Sequence, residues 1–326
     1  MKRKVTVHAL CAMLFALCVS AEAQQPKNVY RIGVLSPRSG IEPNDEVFRQ
    51  QLREFGYVEG QNLLIEWRFS KGKQELYHEF AADLVRLRLD CIVVSGIGAA
   101  QATKQATSAI PIVMSNASDD PVRQGLISSL ARPGGNITGF TDIASELAGK
   151  RLELLKEAFP KISRVAHLSA RANAPGAASL KEIETAARWF GVRVQALELP
   201  GPDDLENAFR AAVKGRADGL IVAAHGFINS YRERIVNLTV KNRLPSIYTN
   251  PQFVLAGGLM SYAADITDQY RRTAIYVDKI LKGTKPVDLP VEQPKKFELV
   301  INLKSAKQIG VTIPQSVLYR ADKVIK

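Results

Sequence analysis

An α/β fold of two doubly wound parallel-sheet lobes, joined by a three-crossover hinge, is predicted by three observations. Short β-branched runs alternate with amphipathic stretches of helical period. The rhythm runs twice, over 31–131 and again over 164–249, with Arg132 to Ile162 between. The length, 326 residues, suits two domains, each large enough for its own core.

In the first run, Arg31 to Ser36 (RIGVLS) reads as a buried strand. Asp45 to Phe55 reads as a helix with Val47, Phe48, Leu52 and Phe55 on one face, closed by Gly56. Leu63 to Phe69 is the next strand and Glu75 to Leu89 the next helix, with Leu76, Phe80, Leu84 and Leu87 in register. Strand Asp90 to Ser95, helix Ala99 to Ser108 and strand Ile110 to Ser115 follow. Pro121 to Ala131 reads as a helix, with Asp120 as N-cap and Pro121 in its first position.

The second run gives strands at 164–169, 192–199, 217–223 and 246–249, with helices at 177–190, 202–213 and 229–241 between them. Beyond Thr249 come a strand at 258–262, a helix at 267–281 and a strand at 297–301, punctuated by Pro286, Pro290 and Pro294. This stretch reads as chain returning to the first lobe and crossing again to the second. The expected lobes are 29–138 plus 249–285, and 139–248 plus 286–326.

The first residues predict export. Lys2, Arg3 and Lys4 precede an apolar run from Val5 to Val19, and Ala21-Glu22-Ala23 offers small residues at a cleavage site. The apolar run is shorter than the ~20 residues a spanning helix needs. A signal peptide over 1–23 is therefore expected. Cys11 and Cys18 each follow a leucine where a lipid-attachment site wants a small residue, so a soluble, unlipidated periplasmic monomer is expected. Cleavage leaves Cys91 as the one cysteine, which excludes an intramolecular disulfide. The net charge of +12 is spread without a basic block or an aromatic-interleaved stripe, which argues against nucleic acid as a partner.

Open parallel sheets bind ligands at the carboxyl ends of their strands. Those ends carry Ser36 and Ser39; Ser95, Gly96, Ile97 and Gly98; Ser115, Asn116 and Asp119; Asn173; His225 and Phe227; Tyr248 and Asn250; and Tyr262 and Asp265. These are the expected ligand-binding residues, and their chemistry suits hydrogen bonding to a small polar or amphipathic solute. Two glycines between a strand and a helix at Ser95-Gly96-Ile97-Gly98 let backbone N–H groups approach an anion, although a tight turn alone also explains them. Asp119 and Asp265 could meet a cation or simply cap helices, the role expected of Asp120.

Signals for catalysis are thin. His78 falls in a helix, His167 in a strand, and His225 alone at a strand end. There is no metal-ligand spacing and no Gly-x-Ser-x-Gly elbow, so no enzyme, metal or cofactor is expected. Cys91, inside an apolar strand, reads as core.

Several segments carry a resemblance. Gly56-Tyr57-Val58-Glu59-Gly60-Gln61-Asn62, Asp120-Pro121-Val122 and Arg132-Pro133-Gly134-Gly135-Asn136-Ile137-Thr138-Gly139 occur in order. Arg151-Leu152-Glu153-Leu154-Leu155-Lys156-Glu157, Gly257-Gly258-Leu259-Met260-Ser261-Tyr262 and Leu299-Val300-Ile301-Asn302 follow. Together they resemble the substrate-binding proteins of ABC transporters, tryptophan/tyrosine type. The resemblance implies a type I periplasmic-binding fold, capture of a small molecule between the lobes, and a membrane permease as partner. A ligand-presenting sensor subunit is the alternative, and a periplasmic enzyme using His225 a remoter one. Where relatives commonly place glycine after the Ser-Tyr pair this chain has Ala263, and its 36–44 loop also departs from the usual pattern.

Overall fold

The computed structural model describes residues 29–170 and 174–326. The expected signal peptide and Asn173 lie outside the described residues.

The first lobe builds a six-stranded, all-parallel sheet. Its strands are β1 (Tyr30–Ser36), β2 (Leu63–Phe69), β3 (Cys91–Ser95), β4 (Ile112–Asn116), β5 (Ile137–Phe140) and β11 (Val291–Glu292). Their order is β11-β5-β4-β3-β1-β2. Helices α1 (Pro43–Glu54), α2 (Leu76–Arg86) and α3 (Ile97–Ala106) connect them. The central strands are buried on both sides, as βαβ crossovers require. One face packs Leu84, Ile97 and Ala100 against Leu35, Ile92 and Met114. The other packs Phe48 and Leu52 against Ile32, Val34 and Val93.

The second lobe contains α4 (Ala148–Ala158), β6 (Arg164–Ala170), α5 (Ala174–Phe190), β7 (Arg193–Leu199), α6 (Leu205–Lys214) and β8 (Gly219–Val222). It continues with α7 (Gly226–Ser230), α8 (Arg232–Lys241), β9 (Ser246–Tyr248), α9 (Pro251–Leu255) and β10 (Met260–Ala264). Helix α10 (Ile266–Leu281) then goes back to the first lobe, where Tyr270, Ala274 and Val277 cover Ile32 and Phe48. After β11 the chain returns once more for β12 (Phe297–Asn302), α11 (Leu303–Ile309), α12 (Gln315–Leu318) and β13 (Lys323–Ile325). The seven strands run β13-β12-β10-β9-β8-β6-β7, with β12 antiparallel to β10.

The three crossovers follow β5, β10 and β11, as the fold class predicts. The expected boundaries move. Residues 249–264 belong to the second lobe, because the turn at Gly257 and Gly258 sends β10 back beside β9. Residues 139–140 and 291–292 belong to the first lobe, where β5 and β11 pair with each other.

Two helices are corrected. Pro121 to Ala131 is a chain of turns: Gly125 takes φ +66°, and Leu126 N donates to Pro121 O instead of extending a helix. Asp120 caps the first of those turns, accepting from Val122 N at 2.8 Å. The helix expected over 229–241 is split at Tyr231 into α7 and α8. Two elements, β5 and α4, occupy the segment read as a spacer.

Candidate functional site

The carboxyl ends of both sheets face each other, and the lobes touch along that cleft. Ser230 Oγ donates to Pro37 O at 2.8 Å. Arg232 Nη1 reaches Glu42 Oε1 at 3.1 Å. A Cβ on Gly226 would stand 2.7 Å from Pro37, so only glycine permits this approach. Beside these contacts a recess of about 600 Å³ is lined by Arg38 to Glu42 of the first lobe and Ser230 to Arg234 of the second.

His225 sits at this seam. Its Nδ1 accepts the Phe227 N–H at 3.3 Å, capping α7, and the Gln74 amide of the other lobe lies 3.0 Å from Nε2. Burial pushes the imidazole down to about 4, because the charged ring would lose its water. An imidazole freed by opening returns toward the ordinary value of about 6.5. Closure is therefore most favourable above about pH 6.5 and weakens as pH falls toward about 4, since the open form binds the proton better. Small-angle scattering should show the radius of gyration rising between pH 7.5 and 5 in the wild type. His225→Gln should flatten that rise; an unchanged profile would remove His225 from the closure balance.

The floor of the first lobe is a buried polar network. Arg38 donates twice to Asp45, at 2.7 Å each, and its Nε donates to Ser36 Oγ at 2.9 Å. Burial opposes the Arg38 charge, but Tyr270, Asp45 and Glu42 together hold it above its ordinary range. Ser95 Oγ donates to Asn116 Oδ1 at 2.9 Å, and Ser95, Ser115 and Tyr270 line one small void with Arg38 and Asp45. Ser36, Ser95 and Ser115 are thus engaged in bonds within the first lobe.

The remaining expected residues divide clearly. Gly96, with φ +86°, has open space where a Cβ would stand, and Ser39 lines the recess. Ile97 is core, and Gly98 is glycine because a Cβ would meet the Tyr77 ring at 3.0 Å. Asp119 is fully buried and occupied by Arg123 and by Gln124 Nε2 at 2.7 Å. Phe227 packs in the second-lobe core beside Tyr231. Tyr248 is 0% exposed and stacked on Phe253 in the second-lobe core. Asn250 caps α9 and Asp265 caps α10. Asn116 is half-buried at the end of β4; Tyr262, also half-buried, lies in the middle of β10 rather than at its end, because that strand runs on to Ala264 beside β12.

Sequence reasoning predicted the hinge but not the side chains that hold it. Arg151, 1% exposed, donates from Nε to Tyr262 O at 2.8 Å and from Nη1 to Ala144 O at 2.5 Å, tying the first two crossovers together. Burial pushes its guanidinium down to about 10. Gln269 Nε2 adds a bond to Thr141 O at 2.9 Å. Asp142 stands in the first crossover with its N–H on Ala117 O at 2.8 Å. Desolvation pushes its carboxyl up to about 6, against the Ala144 N–H and the Arg151 charge, with Asp119 adding to the rise. The available signal was position: Asp142 stands three residues after the Arg-Pro-Gly-Gly-Asn-Ile-Thr-Gly stretch, and Arg151 opens the next shared segment.

The other titratable groups offer little chemistry. Cys91 is fully buried, which pushes its thiol up. His167 is buried in β6 against Ser179, and burial lowers it to about 4. Among the described residues no group of three or more His, Cys, Asp or Glu is placed to hold a metal, and no helix is long and apolar enough to cross a membrane.

Comparison with known proteins agrees with this architecture. The chain is 25% identical over 290 residues to a tyrosine-binding protein of Clostridioides difficile, covering 89% of this chain and 83% of that one. A solved Streptococcus pneumoniae ABC domain in complex with L-Trp is 28% identical, with a TM-score of 0.80 over 90% of this chain and all of that one. A conserved domain protein of Vibrio cholerae is 26% identical, with a TM-score of 0.83 over 91% of this chain and all of that one. The profile of the family described as "ABC transporter substrate binding protein" matches residues 39–325, and the chain belongs to that family.

Proposed function

We propose that this protein is the extracytoplasmic solute-binding component of an ABC importer, free in the periplasm. It captures a small molecule between its lobes, closes on it, and presents the closed form to a membrane permease. The observation that carries this reading is the set of contacts across the cleft, Ser230 to Pro37 and Arg232 to Glu42, made by residues at the ligand-binding ends of two sheets. A solute that contacts both lobes stabilises the closed form, and the equilibrium shifts by its differential affinity. The relatives that bind tyrosine and L-Trp support an amino acid or an aromatic or carboxylate compound as the solute. No chemical change to the solute is part of this function: His225 has an amide and a backbone N–H for neighbours, not a nucleophile.

The test is a thermal-shift screen of purified protein against amino acids, amines, organic acids and sugars. A specific solute at a hundredfold excess over its Kd should stabilise by about 2.7 kcal/mol, a rise of roughly 5 °C in Tm for a chain of this size. A screen in which no class raises the midpoint would overturn the reading.

A further inference from the structure

Resting on the solute-binding reading, we infer that Asp142 receives an ammonium group of the solute, so that the cleft selects small molecules carrying a protonated amine. Four other carboxylates near the cleft are already occupied. Asp119 is held by Arg123 and Gln124. Asp265 accepts from Asp268 N at 3.1 Å and lies 3.9 Å from Lys296. Glu42 pairs with Arg232, and Asp45 with Arg38. Asp142 differs from all of these. Its Oδ1 accepts the Ala144 N–H at 3.0 Å, and among the described residues no cationic side chain makes an ion pair with it. The nearest candidate, Arg151, spends its bonds on the carbonyls of Tyr262 and Ala144, and its Nη2 is left without a partner.

The position suits recognition. Asp142 N–H and Thr141 Oγ1 both bond Ala117 O, and Ser145 Oγ bonds Ser118 O. These bonds pin the segment to the loop that leaves β4, on the strand-end side of the first lobe. Asp142 is 9% exposed there, in the first crossover just beyond the end of β5. Burying a carboxylate without a cation is costly, and an arriving ammonium with its hydrogen-bond donors would offset that cost. Desolvation outweighs the Ala144 N–H and the Arg151 charge and holds the carboxyl up at about 6, so a further positive charge would be favoured there.

Asp142→Asn retains an oxygen for the Ala144 N–H while removing the charge, so it separates recognition from the turn. Titration calorimetry on the full protein would compare L-tyrosine with 3-(4-hydroxyphenyl)propionate, L-tryptophan with indole-3-propionate, and any other amine found in the screen with its amine-free analogue. In the wild type each amine should bind more tightly than its analogue. In Asp142→Asn the bound amine should weaken by about tenfold to a hundredfold, the range for a charge-assisted bond, with Tm not lowered. Equal binding of amine and analogue, an unchanged affinity in Asp142→Asn, or a bound solute without an amine would each overturn the inference while leaving solute binding intact. Absence of binding by every class would instead remove the solute-binding reading on which it rests.

Discussion

Gly139→Ala should abolish stable folding. Gly139 lies in β5, a strand flanked by β4 and β11, at φ +125°. A Cβ there would collide with the backbone oxygen of Met114 and stand 2.5 Å from its nitrogen. Met114 is the register partner of Gly139, so it can retreat only by opening the ladder that also joins Ile112 to Ile137 and Val113 to Thr138. Neither the clash nor the dihedral has a flexible side chain to absorb it. The expected loss exceeds about 4 kcal/mol, a large part of the roughly 5–15 kcal/mol that holds a domain folded. Gly135→Ala is the control four residues earlier: nothing lies within 4 Å of its added Cβ, and its effect should stay within about 1 kcal/mol. Urea unfolding and soluble yield measure both. A Gly139→Ala protein that unfolds within about 1 kcal/mol of the wild type would contradict this geometry.

Asp45→Ala should cost about 3–5 kcal/mol, because it strands a buried guanidinium. The side chains of Arg38 and Asp45 are 11% and 2% exposed and meet through two parallel bonds. Asp45 also accepts the Glu42 N–H at 2.7 Å, completing a reciprocal cap at the start of α1. Arg38→Met combined with Asp45→Leu should recover most of the loss, because both charges leave together. A residue of about 1 kcal/mol should remain for the missing cap. A double-mutant cycle by denaturant unfolding reads the coupling directly. Coupling below about 0.5 kcal/mol would show that solvent screens the pair despite its burial.

Long periodic segments were legible in the sequence. The apolar faces of α1 and α2, and the β-branched runs of β1 and β3, each span enough residues to reveal their period. Strands of two to four residues, such as β11 and β5, do not, and they set the lobe boundaries. The stretch at 121–131 shows why pattern alone is insufficient: its apolar spacing fits a helix, but Gly125 turns the backbone out of it. Most strand ends were legible, β10 excepted, which runs two residues past Tyr262, but which side chain at each end is enclosed was not. Ser95 and Ser115 go inward while their neighbours Gly96 and Asn116 lie less enclosed, a difference of one residue in an alternating chain. Tyr248 fell on the wrong side of the same alternation. The pairs at the hinge and across the cleft were invisible for another reason. Arg151 and Tyr262 are 111 residues apart, and Gln74 and His225 are 151 apart, so no local window holds both members.

The return of the chain to the first lobe governs the order in which the protein can be made. A chain emerging from its amino end delivers β1 to β5 early, but α10 and β11 only after β6 to β10 have appeared. Until then β5 has a bare edge, and Ile32, Val34 and Phe48 lack the cover of Tyr270, Ala274 and Val277. The second lobe waits in turn for β12 and β13. Contacts of such sequence separation form slowly, because a long loop must close before they are made. Neither lobe is a contiguous stretch of chain, so no single proteolytic cut can release one intact.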